Sequence, residues 1–317
     1  MIKELWRREL RLHLVLANYH TPQKFTQTEW QDPRRPAALW YVVYRWLSAA
    51  LFFAVAVCSV LDTGRADSPK LGVRYIKWPI YLTNWGLVCC CLQAGLGAAL
   101  ATVSLGQEGR RRRAERAAAA AGPGSPAAAQ QNLQQSLQAP ALPVAYRVYW
   151  VLNTISVTVA IGITCTYWVA VYDPREHELD ALNILVHAAN SLLMITDVLL
   201  AAHPLRLLHA FWPLLFVAVY LGFSFVYFMA GGTDRVDRTC VYPVLDWEKP
   251  LSTVVVCVLG LSFVVAVHTA VWALHLGRRR CGRALRRFAR SMCEAKMAAN
   301  KNPGDKKDPG VQLDAMA

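Results

Sequence analysis

The chain has 317 residues, 55% of them apolar, and its 34 Lys and Arg against 21 Asp and Glu give a formal net charge of +13. A soluble enzyme of this length spreads charge along every element. Here charge-poor runs of roughly 20 residues recur, each long enough to cross a hydrocarbon core about 30 Å thick, which excludes a soluble globular fold, and no basic module interleaved with aromatics is present to bind nucleic acid.

In chain order, residues 1–37 open as a basic amphipathic arm beginning MIKELWRRELRLHLVL. The first apolar run comes too late and is too long for the h-region of a cleaved signal, so the first span is expected to serve as the insertion signal itself. Six spans are predicted, over 38–61, 80–103, 147–172, 182–202, 208–230 and 251–276. The fold class is therefore all-α, a six-span transmembrane helical bundle forming one domain over 38–276. Between the second and third spans, residues 106–143 are rich in Ala, Gln, Gly and Pro. Such a stretch has too little apolar bulk to fold and predicts a disordered linker, with a short helix near its Arg run. After the last span, Arg278–Arg290 continues as a basic juxtamembrane helix along anionic lipid, and a disordered polar tail completes 277–317.

Orientation follows from the basic flanks. With the N-terminus inside, the cytosolic segments carry 25 Lys and Arg and the outer loops 8, so both termini are expected in the cytosol. The nine cysteines form no disulfide framework, since most fall within spans and Cys240 alone faces the oxidising side. Cys281 and Cys293 lie in the basic helix, where S-palmitoylation and ordinary reduced thiols are both open readings.

Polar groups inside a bilayer are the best pointers to function. In the fourth span Asn183, His187, Asn190, Met194 and Asp197 recur at spacings of 4, 3, 4 and 3 and share one stripe at 100° per residue. The second span opens with Thr83 and Asn84. Counting rise per residue puts Thr83 roughly 6 Å and His187 roughly 9 Å below the outer end of two parallel spans. One reading is interhelical hydrogen bonding. The other is chemistry: His187 as the base that activates the Thr83 hydroxyl, Asn183 or Asn190 fixing the imidazole tautomer, and Asn84 donating to an oxyanion.

The stretches KWPIYLTNWG, LNILVHAANSLLMITD and TCVYPVLDW together resemble the rolling stone family of multi-pass membrane proteins. More distantly they resemble the androgen-induced and androgen-dependent membrane hydrolases, six-span proteins that cleave fatty acid esters of hydroxy fatty acids. The resemblance covers roughly 38–276. By position it implies Thr83 as nucleophile and His187 as its partner. Asn84-Trp85-Gly86 is a rolling stone feature that those hydrolases lack, and the rolling stone branch is associated with myoblast fusion, which implies no activity.

Arg45 in the first span and Asp197 in the fourth sit at matching depth near the inner ends. They form either a structural ion pair or, for Arg45, a snorkelling side chain. A rival site is zinc, held by His203, His209, His268 and His275 with Asp197. A third reading is non-enzymatic, a membrane factor in cell–cell fusion or differentiation, with the outer loop 231–250 and its Tyr242 and Trp247 as the partner surface or, structurally, as a cap over the bundle mouth. No phosphate loop or nucleophile-elbow motif is present and no cofactor is expected. The expected partners are membrane lipids, including fatty acid esters, and anionic inner-leaflet lipids at the basic tail. The expected location is the plasma membrane or an endomembrane.

Overall fold

The computed structural model describes residues 9, 22–32, 37–63, 76–120, 143–174 and 179–301. Most of the N-terminal arm, the linker beyond residue 120 and the C-terminal tail lie outside them. Six helices are long and apolar enough to cross a membrane, and no strand runs through the described residues. They are α1 (Leu39–Leu61), α2 (Leu82–Ala120), α3 (Val144–Val171), α4 (Ala181–Leu200), α5 (Leu207–Met229) and α6 (Pro250–Lys301). Local chemistry sets several ends. Pro143 precedes α3 in extended geometry, the Asp180 carboxylate caps α4 by accepting from the Asn183 N–H at 2.7 Å, and Pro250 starts α6 where its missing N–H costs nothing. Beyond Leu61, Asp62 takes left-handed geometry at φ 54° and stops α1.

Two helices outrun their predicted spans. Hydropathy marks where hydrocarbon ends, whereas the hydrogen-bond ladder stops only where propensity fails. The α2 helix passes through Arg110–Arg113 into an alanine run, with Glu108–Arg112 and Arg111–Glu115 ion pairs one turn apart at 3.1 and 2.8 Å. Residues 106–120, where only a short helix near the Arg run is expected, are helical throughout and continuous with α2. The α6 helix likewise continues its ladder to Lys301.

The core lies where α2 meets its neighbours. Leu87, Cys90 and Ala94 of α2 pack with Phe52 of α1, Val157 of α3 and Met194 of α4. Two glycines let α2 approach α3. A Cβ at Gly86 would stand 3.0 Å from Ile163 Cδ1, and one at Gly97 would stand 2.9 Å from the Tyr149 ring. All nine cysteines are free thiols.

Each end of the bundle is closed differently. At the end holding the segment before α1, Thr28 bridges Ala201, and Phe25 inserts edge-on among Tyr146, Tyr149 and Trp150. At the opposite end the α5–α6 loop lies over the bundle mouth. Lys77 Nζ donates to the Thr233 hydroxyl at 2.6 Å, Arg235 reaches both Asp62 carboxylate oxygens at 3.1 and 3.2 Å, and Trp247 Nε1 donates to Ser224 Oγ at 3.2 Å.

Candidate functional site

Under that loop lies a cavity of ≈ 190 Å³ whose lining includes Thr83, Asn84, Asn183 and His187 together with Tyr167 and Tyr242. A second cavity, of ≈ 170 Å³, adjoins it between α3, α5 and α6; its walls include Ile163, Val217, Leu221, Val256, Leu261 and Val264. Thr83, Tyr167, Val171 and Tyr242 line both. A polar chamber and an apolar one therefore share a wall at Thr83.

Thr83 stands on the first turn of α2, where helix N–H groups lack intrahelical partners. Tyr242 from the capping loop fills that role: its hydroxyl oxygen accepts from the Leu82 N–H at 3.0 Å, and it lines both cavities beside Thr83. Burial pushes the Tyr242 phenol up to about 12, against the opposing pull of the neighbouring Thr83 and Leu82 groups, so it stays protonated at neutral pH.

His187 sits on a π turn, Leu185–Ala189, and its ring lies flat on Tyr167, which sits on a second π turn, Tyr167–Val171. The centroids are 3.4 Å apart and the planes 3° from parallel. Such turns insert a residue and displace a carbonyl from the ladder. The His187 carbonyl accepts instead from Thr164 Oγ1 at 2.5 Å. Thr83 and His187 thus line one chamber.

The two supporting amides depart from their proposed roles. Asn84 Nδ2 donates to the Trp78 carbonyl at 2.6 Å, and its Oδ1 accepts from Ser59 Oγ at 3.3 Å, so this amide ties α2 to α1 rather than waiting for an oxyanion. Asn190 does not line the chamber, and neither polar atom of its amide has a partner among the described residues. The cause is the π turn, which adds about one residue of rotation, roughly 100°, between His187 and Asn190 and breaks the single stripe. Asn183 stays on the chamber wall with His187. Tyr167, and the place of Tyr242 on the chamber wall, are not legible in the sequence. Neither π turns nor a phenol capping a distant helix leaves a mark in sequence periodicity.

A family model described as Protein rolling stone matches residues 127–297. The chain belongs to the rolling stone family. Protein rolling stone of Drosophila melanogaster is 25% identical over 263 residues, covering 82% of this chain and 83% of the relative. No solved structure matches.

In this rolling stone family chain the Asn84-Trp85-Gly86 stretch acts structurally at all three positions. Asn84 makes the tie just described. Trp85 Nε1 donates to the Pro79 carbonyl at 2.7 Å while its ring meets Tyr220 edge-on, and Gly86 admits Ile163. Tyr242 and Trp247, half-buried in the capping loop, bond to α2 and α5 respectively.

Toward the other end the family chain holds a buried polar network. Arg45 Nη1 meets Asp197 Oδ1 at 2.6 Å, and Arg45 Nη2 donates to the Tyr41 and Tyr149 hydroxyls, each at 2.7 Å. Gln93 Nε2 donates to the second Asp197 oxygen at 3.1 Å. The four histidines of the zinc reading disperse. His268 contacts Thr158 Oγ1 at 3.0 Å and the Arg206 carbonyl at 2.9 Å, His275 contacts Arg278 at 2.9 Å, and His209 packs on Trp150. Only His203 stays near Asp197, at 3.7 Å, and burial pushes its pKa below the usual histidine value. Among the described residues no three His, Cys, Asp or Glu side chains converge to hold an ion.

Proposed function

We propose that the paired cavities bind one acyl-chain lipid ester, chain in the apolar cavity and head in the polar one, and that Thr83 cleaves it. The observation that carries this reading is the shared wall: Thr83 is the one aliphatic hydroxyl lining both spaces, at the point where an ester between head and chain would rest. The Thr83 oxygen attacks the ester carbonyl, and His187 takes its proton through a water in the chamber. The alkoxide leaves with that proton as an alcohol, and a second water releases the fatty acid from the acylated threonine. Tyr242, protonated at neutral pH and on the same wall as Thr83, donates to the oxyanion.

The test is hydrolysis of a long-chain fatty acid ester by purified protein. Thr83→Ser is expected to retain part of the rate. Thr83→Ala and His187→Ala are expected to lower it by at least about 10²-fold, the usual scale for a lost nucleophile or base. A rate unchanged in Thr83→Ala defeats the proposal. A second reading, lipid binding without turnover by a membrane factor in cell–cell fusion, is favoured by the apolar walls of the second cavity, which suit a lipid chain whether or not it is cleaved. It predicts that all these variants bind the ester and none cleaves it.

A further inference from the structure

At the end opposite the ester chamber, where the chain doubles back before α1, a third cavity of ≈ 220 Å³ lies between that segment and the extended part of α6. From α6 it is lined by His275, Arg279, Arg283 and Arg286, spaced to share one helical face, and from the facing segment by Lys24 and Glu29. The facing segment can close on the helix because position 282 is glycine: a Cβ there would stand 3.0 Å from the Glu29 side chain. Glu29 is the lining carboxylate, and it is already matched, by Arg286 at 2.9 Å and Arg278 at 3.9 Å. Arg279 and Arg283 make no ion pair or side-chain hydrogen bond among the described residues. The cavity therefore concentrates, at Arg279 and Arg283, positive charge that no described carboxylate pairs with.

Height adds a second constraint. The apolar run of the last span ends near 276, so Arg279 and Arg283 lie roughly 5 and 10 Å beyond the hydrocarbon at 1.5 Å per residue. The polar headgroup zone begins there and extends roughly 5–8 Å on each side of the core, so Arg279 lies within it and Arg283 just past it, at the height reached by the outer phosphates of a large headgroup. Guanidinium groups on a shared face give paired N–H donors suited to phosphate oxygens, and a phosphomonoester carries more charge than the phosphodiester of an ordinary headgroup.

We infer that this cavity is a binding site for a phosphomonoester group at headgroup height, of the kind a phosphorylated inositol lipid presents. The site is remote from Thr83 and stands whether or not the ester reading holds.

The test titrates purified full-length protein in neutral detergent with phosphatidylinositol bisphosphate and, separately, with phosphatidylserine at matched charge, reading bound lipid by native mass spectrometry. The bisphosphate is expected to bind about tenfold more tightly, the scale of one further charge-assisted contact. Arg279→Gln with Arg283→Gln is expected to abolish that preference. Arg280→Gln with Arg287→Gln, both exposed and roughly 80–100° round the helix from Arg279, is expected to weaken both lipids alike and keep the preference. Soluble inositol trisphosphate is the third arm. Competition shows that a free phosphate ligand suffices, and its absence assigns the site to lipid alone. Arg283→Gln by itself, at an exposed position, repeats the comparison if the double variant melts early. No preference in the wild type, or an equal loss of preference in the off-face pair, overturns the inference.

Discussion

Replacing Arg45 by Leu removes the cation from a buried cluster and leaves Asp197 with donors but no counter-charge within 3 Å. The guanidinium bonds Asp197 at 2.6 Å and two phenols at 2.7 Å, and both charged side chains are at most 3% exposed. Breaking such a pair from one side costs about 3–5 kcal/mol, mostly for the charge left behind. Asp197→Leu should cost a similar amount, by stranding Arg45. If the two losses were independent, the double variant would lose about 6–10 kcal/mol; with no charge stranded it should instead recover about 2–4 kcal/mol of that. Thermal unfolding in detergent can be followed with a thiol-reactive dye once the exposed Cys165, Cys281 and Cys293 are blocked, because Cys90 is fully buried and reports the opening of the core. Each single variant should melt well below the wild type, and the double variant well above the temperature that additivity gives. Strictly additive shifts would refute the coupling.

Tags at residue 1, near 125 and at 317 should all escape antibody in intact cells; surface labelling near 125 would reverse the orientation derived from the basic flanks. Gly86→Val should destabilise by about 1–3 kcal/mol through collision with Ile163, whereas Gly95→Ala, which meets nothing within 4 Å, should be neutral or stabilising in the same melting assay. His203 is held neutral in the fold by burial, so the unfolded chain takes up its proton first. Stability should fall as pH drops below 6.5, the ordinary histidine value, and that acid slope should flatten in His203→Gln.

Span number and placement were legible because hydropathy over 20 residues is a long signal. Helix ends were not, since alanine and paired charges prolong α2 into residues whose composition alone spoke of a linker. The Arg45 and Asp197 depths could be counted from residue numbers, because nearly ideal helix joins each to its own span end. The same counting put Thr83 and His187 in one chamber but failed at Asn190, where an inserted residue turned the helix. Asn84 shows a different limit. Its amide is chemically fit for an oxyanion, and only the nearby Trp78 carbonyl and Ser59 hydroxyl decide otherwise.

The most direct test of one lipid spanning two cavities is a fatty acid ester carrying a photoreactive group at the chain terminus, cross-linked to the purified protein and mapped by peptide sequencing. Label should gather on Val217, Leu221, Leu261 and Val264, which line the apolar cavity, and excess unlabelled ester should remove it. Label spread instead over the outward-facing Leu251, Val254, Val255 and Leu259, undiminished by competitor, would show that the chain meets the protein only as bulk lipid and would contradict the shared chamber at Thr83.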